Sequence, residues 1–198
     1  MKPFVLIALC AVAVTAAVVG ATAQASRGAI TCPGQATVQP FIPWGDDANY
    51  TLLPNGSFEN TNGWTFSGGV AQVSGNEPYY VNNPNDSHSL AMPSGASAVS
   101  PSMCFTLFNP DLRLFALNTG SARSTLHVDV ITNLLGVKIT APVATLTAGS
   151  SWQPTATLPF LTNLIAPVSE GVQFRFTAQG QGGAWRVDDV YVDPIKHS

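Results

Sequence analysis

The chain has 198 residues, with 8 Lys and Arg against 11 Asp and Glu and a formal net charge of −3. A mildly acidic chain without a basic stretch is a poor match for nucleic acid or anionic lipid, both of which need concentrated positive charge. Only 10% of the residues are charged and 45% are hydrophobic, so a carboxylate set among strand-forming residues needs a partner.

The N-terminus reads first. Lys2 precedes an almost unbroken apolar run over 4–19, and Ala21-Thr22-Ala23 and Ala23-Gln24-Ala25 are small-x-small cleavage signals. This is the layout of a secretory signal peptide at 1–25, and the run is short for a membrane span; a retained N-terminal anchor is the other reading. Beyond it come an N-terminal lead at 26–48 and one domain of ordinary length at 49–198. No second apolar run is long enough to cross a bilayer, so a secreted product with no membrane insertion is expected. Setting Cys10 aside, Cys32 and Cys104 remain, and an even pair in an exported chain reads as one disulfide pinning the lead to the strand around Cys104. Two buried free thiols are the alternative.

With 17 Gly and 15 Pro and no helical apolar periodicity, the chain reads as short strands broken by turns. Strands are expected at 49–53, 57–59, 64–67, 70–73, 79–81, 89–92, 98–100, 104–107, 112–118, 124–132, 137–140, 143–147, 152–159, 172–178 and 185–192. Several alternate. Leu112, Leu114 and Ala116 share a face, as do Leu126, Val128 and Val130, while Val172, Phe174 and Phe176 oppose Gln173, Arg175 and Thr177. Asn62-Gly63 and Ser67-Gly68-Gly69 permit positive φ, and residues 179–183 read as a hairpin between the last two strands. Residues 160–165 fit a short helical turn instead. Trp64 and Trp185 read as core. The fold class is all-β: a two-sheet antiparallel sandwich of jelly-roll type.

Two segments concentrate carboxylate beside strand formers: Leu53-Pro54-Asn55-Gly56-Ser57-Phe58-Glu59 followed by Gly63-Trp64, and Val187-Asp188-Asp189-Val190-Tyr191-Val192-Asp193. If the first and last strands are neighbours, Glu59 and the Asp188/Asp189 pair share a cation; otherwise either aspartate pairs with Arg186 or Arg175, or sits in solvent. With Ser87-His88-Ser89-Leu90 between them, these motifs resemble the galactose-binding-like jelly rolls, and are most similar to the carbohydrate-binding modules of bacterial xylanases. The ending also resembles uncharacterised exported bacterial proteins. The resemblance implies a structural calcium held by Glu59 and by Asp188 or Asp189, with carbonyls such as those of Ser57 and His88 completing the oxygen shell. It also implies a carbohydrate or glycan partner.

Sugar recognition needs exposed rings. The best cluster is Glu77-Pro78-Tyr79-Tyr80-Val81-Asn82, with Trp152 and Trp44 as further rings; adjacent tyrosines on a strand face opposite ways, so one must point outward. Capping of the sandwich is the competing role for these rings. No nucleophile elbow, zinc-protease motif or phosphate loop is present. His127 and Asp129 share a strand face, which reads as a solvated sheet surface. The expected function is a secreted non-catalytic binding module for polysaccharide or cell-surface glycan; the alternative is a structural or adhesive envelope domain without a sugar site.

Overall fold

The computed structural model describes residues 35–106, 111–134, 137–160 and 168–193. The expected signal peptide, Cys32 and most of the expected helical turn at 160–165 lie outside them. The strands are β1 (Thr51–Leu52), β2 (Thr65–Ser67), β3 (Ala71–Ser74), β4 (His88–Pro93), β5 (Ser97–Val99), β6 (Met103–Thr106), β7 (Asp111–Asn118), β8 (Thr125–Leu134), β9 (Val137–Leu146), β10 (Gln153–Pro154), β11 (Leu158–Pro159), β12 (Val168–Gln179) and β13 (Ala184–Asp193). One seven-stranded sheet runs β10-β7-β13-β4-β3, with β1 on β13 and β11 on β7. A six-stranded sheet runs β2-β5-β12-β8-β9, with β6 on β12. No helix among the described residues is long and apolar enough to cross a membrane.

The sandwich core forms where the alternating residues meet. Leu112, Leu114, Trp185, Val187, Val190 and Val192 of one sheet face Leu126, Val128, Phe174 and Phe176 of the other, and Trp64 closes one side. Each such side chain contributes roughly 1.5–3 kcal/mol on leaving water. Trp64 keeps its indole N–H satisfied by donating to the Pro54 carbonyl at 3.1 Å.

Several local expectations change. Residues 57–59 and 79–81 are turns, because Phe58 (φ 54°) and Tyr80 (φ 52°) take left-handed backbone that no strand accepts. Residues 137–140 and 143–147 join as β9, since an edge strand tolerates Pro142 next to a bulge. The 152–159 segment splits into β10 and β11. Residues 179–183 form no hairpin: β12 and β13 belong to different sheets, so this glycine-rich stretch carries the chain across the sandwich.

β7 also departs from clean alternation, as Asp111 to Ala116 are all buried. The N-terminal lead covers its outer face. Val38 exchanges backbone hydrogen bonds with Tyr50, and Phe41 sits fully buried among Tyr50, Phe115 and Tyr191. Phe41 stacks on Phe115 at 5.8 Å between centroids, and the Arg113 guanidinium lies 4.1 Å from the Phe41 centroid. Arg113 also pairs with Asp46 at 2.5 Å, and Asp46 accepts the Tyr50 hydroxyl at 2.8 Å. Residues 35–48 are therefore part of the folded unit. Replacing Phe41 by Ala should cost about 3–5 kcal/mol, read as a lower denaturation midpoint; an unchanged midpoint would show that the lead adds nothing to the sandwich.

Candidate functional site

The N-terminal motif and the last strand do meet. β1 pairs antiparallel with β13, Thr51 opposite Val192 and Leu52 opposite Tyr191. The contact continues past the strand: Leu53 N–H donates to the Val190 carbonyl at 2.8 Å, and Val190 N–H donates to the Gly56 carbonyl at 3.0 Å. A Cβ on Gly56 would lie 2.9 Å from the Val190 oxygen, which explains the glycine of the Asn55-Gly56 turn. Opposite this contact, β13 bulges between Asp188 and Tyr191 in its pairing with β7, and Asp189 takes φ 44°. A bulge redirects side chains. Here it lets both aspartates turn away from solvent.

Asp188 and Asp189 are fully buried, and so is Glu77. Asp188 accepts two backbone N–H groups, from Glu77 and from Asp189, each at 2.9 Å. Both oxygens of Asp189 are buried and meet no partner at full hydrogen-bond geometry, although the Asn82 N–H and the Glu77 carboxyl lie beside them. Burial first, then Asp189 beside it, pushes the Asp188 carboxyl up to about 9. Burial, then the charges of Glu77 and Asp86, pushes Asp189 up to about 8. Burial also raises Glu77, and raises Asp86 together with the charge of Glu59. A series of mutually repelling carboxylates thus runs from Glu59 through Asp86 to Asp189 and Glu77.

Glu59 occupies a different place in that series. Its Oε1 accepts the N–H groups of Ser87 and His88, each at 2.7 Å, and its Oε2 lies 3.0 Å from His88 Nδ1. These bonds outweigh its partial burial and hold its pKa below the usual carboxylate value. The structure brings Glu59 and His88 together, while no hydrogen bond among the described residues links Glu59 to Asp188 or Asp189. Ser57 is buried in the turn between Gly56 and Phe58. Among the described residues, no three His, Cys, Asp or Glu side chains close into a metal-holding group. The alternative pairing for the aspartates is also absent: Arg175 pairs with Asp129 at 2.8 Å, and Arg186 bonds Ser89 Oγ and the carbonyls of Ser74 and Gly75.

Glu77 is corrected from a ligand contact to an internal clamp. Its carboxylate accepts Tyr79 N–H at 2.5 Å and Val81 N–H at 2.8 Å, while its own N–H is held by Asp188. No part of it faces solvent. The loop it holds presents both tyrosines outward, Tyr79 43% and Tyr80 49% exposed. The strand-based expectation of one inward ring fails because Tyr80 is left-handed. Tyr79 meets Trp44 edge-on at 4.9 Å, and its hydroxyl donates to the Trp152 carbonyl at 3.3 Å. Trp44 and Trp152 are half-buried, packed on the outer apolar cluster. Asn82 is exposed at the backbone of this loop, with its amide donating to Asp86 at 2.7 Å.

Sequence reading missed three members of this region. Asp86 joins the acidic series, Arg186 lies 5.7 Å from the Trp152 ring centroid, and Gln153 donates to the Tyr79 hydroxyl at 3.3 Å. Gln153, adjacent to Trp152, was the only one with a local signal. Cys104 lies on β6; its expected partner Cys32 lies outside the described residues. His127 has Thr145 as its neighbour at 3.4 Å, and Asp129 is engaged by Arg175, so the strand pair forms no catalytic dyad.

No protein-family model matches the sequence, and no curated protein sequence matches it. Solved structures do match in fold. The CBM22-1–GH10 part of endo-1,4-β-D-xylanase 10B from Clostridium thermocellum, complexed with xylohexaose, aligns at TM-score 0.54 and 14% identity over 72% of this chain. The chain spans 28% of that xylanase chain. The CBM22-1 xylan-binding domain of Paenibacillus barcinonensis Xyn10C aligns at TM-score 0.52 and 15% identity, over 84% of this chain and 100% of that one. The enzymatically active domain of tailspike protein 4 from bacteriophage CBA120 aligns at 0.50 and 18%, over 72% and 21%. At these identities the likeness shows the fold alone: the chain shares the two-sheet antiparallel β-sandwich of these structures.

Proposed function

We propose that the chain is a secreted, non-catalytic module that binds polysaccharide or cell-surface glycan through the Tyr79–Tyr80 loop, with Trp152 beside it and Trp44 behind it. The observation that carries this reading is the pair of exposed tyrosines on a loop clamped from within. Rings held in place before binding lose little freedom when a sugar stacks on them, and an aromatic face offers the flat apolar surface that a pyranose ring presents in turn. Asn82, at the foot of the loop, supplies a polar group. The fold shared with xylan-binding domains supports the same reading. The second reading, an adhesive or structural envelope domain, draws on the same exposed patch used against protein.

We keep the structural calcium within this proposal, at a shifted centre. Carboxylate oxygens such as those of Asp189 are the hard donors such an ion prefers, and because Asp189, Asp188 and Asp86 do not already close around one point, an ion would have to draw them together. Glu59, already bonded to Ser87 and His88, contributes at the far end of the series, with the carbonyls of Ser57 and His88 as the remaining expected donors. Bound calcium would supply the positive charge that offsets several buried carboxylates. The Cys32–Cys104 disulfide is likewise proposed; Gln35 Nε2 donates to the Cys104 carbonyl at 3.1 Å, which brings the chain just after Cys32 beside its partner.

Replacing Tyr79 and Tyr80 together by Ala should abolish retention in polysaccharide affinity gels without unfolding the domain; undiminished retention would move the site elsewhere. Glu77→Gln replaces one acceptor oxygen with an amide N–H that opposes a backbone N–H. It should weaken glycan binding with KD raised by about tenfold, or roughly 1.4 kcal/mol, and an unaltered KD would deny the clamp its role.

The calcium test follows from proton linkage. Asp188 and Asp189 have folded pKa values near 9 and 8, above the ordinary carboxylate value near 4. The folded state therefore holds more protons than the unfolded state between those limits, so their contribution is complete below about pH 4 and declines as pH rises toward 9. In chelator, the melting temperature should fall as pH rises across that window. Calcium at a hundred times its Kd should restore about 2.7 kcal/mol. A melt indifferent to both chelator and calcium would remove the ion from the proposal.

A further inference from the structure

Beside the ring patch, a groove of about 450 Å³ opens between β7 with its short partners β10 and β11 and the β9 edge of the other sheet. Ala116 and Leu158, both buried, form its floor, and Thr145, Thr147, Gln153 and Thr155 supply its polar groups. None of its lining residues is ionisable. Gln153 belongs to both places: it lines the groove and donates to the Tyr79 hydroxyl. The groove thus adjoins the patch at Gln153.

We propose that this groove is a further glycan subsite, taking a neutral, unbranched stretch of the polysaccharide chain that stacks on Tyr79 and Tyr80. This rests on the reading of those rings as a glycan site and adds to it a class of ligand and a direction of travel. The volume falls within the range of small-ligand pockets, which spans about 300–1,000 Å³. An apolar floor under a rim of hydroxyl and amide groups complements a sugar, whose C–H face is apolar and whose edge carries hydroxyls. A lipid chain or an apolar peptide would bury the groove's hydroxyls and the Gln153 amide without partners, at a cost in affinity. An anionic polysaccharide would find no cation within it to offset the loss of its hydration. Two of the polar groups are already committed in part: Thr155 Oγ1 accepts Leu114 N–H at 3.3 Å, and Thr145 Oγ1 lies beside His127. Gln153 Nε2 is engaged with the Tyr79 hydroxyl, so exposed Thr147 and the remaining amide atoms of exposed Gln153 are left to meet the ligand. At Gly149 an added Cβ would meet nothing within 4 Å, so the groove is uncrowded beside that residue.

The experiment is calorimetric titration of the protein with oligosaccharides of xylose and of glucose, from dimer to hexamer, with polygalacturonate as the anionic comparison. In the unaltered protein, affinity should rise by about tenfold or more between dimer and hexamer, as the longer chain gains contacts without a second loss of overall motion. Thr147→Trp fills the groove mouth and should erase that gain while leaving dimer affinity unchanged. Thr147→Ala, which only removes a polar group from the groove, should reduce the gain in the same direction and serves if the larger side chain disturbs folding. Full length dependence in both variants overturns the subsite while leaving the ring patch standing. Preference for polygalacturonate overturns the neutral class. No binding to any oligomer overturns the ring patch and the subsite together.

Discussion

The close approach of Gly56 to Val190 is the contact on which the rest of the site depends. It is a backbone contact, made possible because residue 56 has no side chain in the way. It fixes the Leu53–Gly56 turn against β13 just where that strand bulges, and the bulge decides where Asp188 and Asp189 point. From there the order is transmitted by hydrogen bonds. Asp188 holds Glu77 by its backbone, and Glu77 holds the backbone on both sides of Tyr80. The exposed rings are thus supported from the middle of the sheet, although they sit on a loop. Such loops are ordinarily the least stable parts of a domain.

This support carries an electrostatic cost. Three carboxyl groups with no solvent exposure lie in one region, and no basic side chain bonds any of them. An isolated buried charge is expensive, so each group must become protonated, accept hydrogen bonds or share a cation. Asp188 and Glu77 take the second route through backbone N–H groups. Asp189 is the least well served, with the Asn82 N–H and the Glu77 carboxyl beside it but no bond at full geometry, and its backbone is also at positive φ. Two unfavourable features at one residue identify where stability is held below what the fold would otherwise reach, and strain of this kind gathers at ligand sites.

The sequence made the architecture readable wherever one face of a strand had one neighbour. Val172, Phe174 and Phe176 alternate against Gln173 and Arg175 because β12 packs on the core with one side only, and Trp64 and Trp185 are as deep as their settings implied. Reading failed where a second layer was added from afar. β7 is buried on both sides because residues before 49 fold back over it, and the hint in 112–118, apolar Phe115 and Leu117 opposite Leu114 and Ala116, does not say what does the covering. It failed again where backbone sign mattered. Tyr79-Tyr80 looks like a strand by composition, yet a left-handed Tyr80 turns it into an exposed loop. The role of Glu77 was hidden for a related reason. A glutamate just before a tyrosine pair reads as a surface group, and only the path of the loop shows that its carboxylate folds inward to bond the following N–H groups. For the acidic termini, the neighbourhood of β1 and β13 was foreseeable from the motifs, but the separation of Glu59 from Asp189 by Asp86 was not.

The partition between acids and rings bears on binding against catalysis. Glycoside hydrolysis by two carboxylates needs both at a cleft, one able to exchange a proton with the substrate. Glu77, Asp188 and Asp189 have no exposed surface, and Glu59 is engaged by Ser87 and His88. A substrate on Tyr79 and Tyr80 would touch rings and amides, with the carboxylates one layer beneath. Under the proposed glycan reading, the acids set the shape of the loop and the rings would meet the sugar. A group that acts by holding a backbone cannot also swing toward a glycosidic oxygen without releasing the loop that positions the ligand. The same bonds that hold the loop in shape keep Glu77 and Asp188 beneath the surface that the proposed ligand would touch.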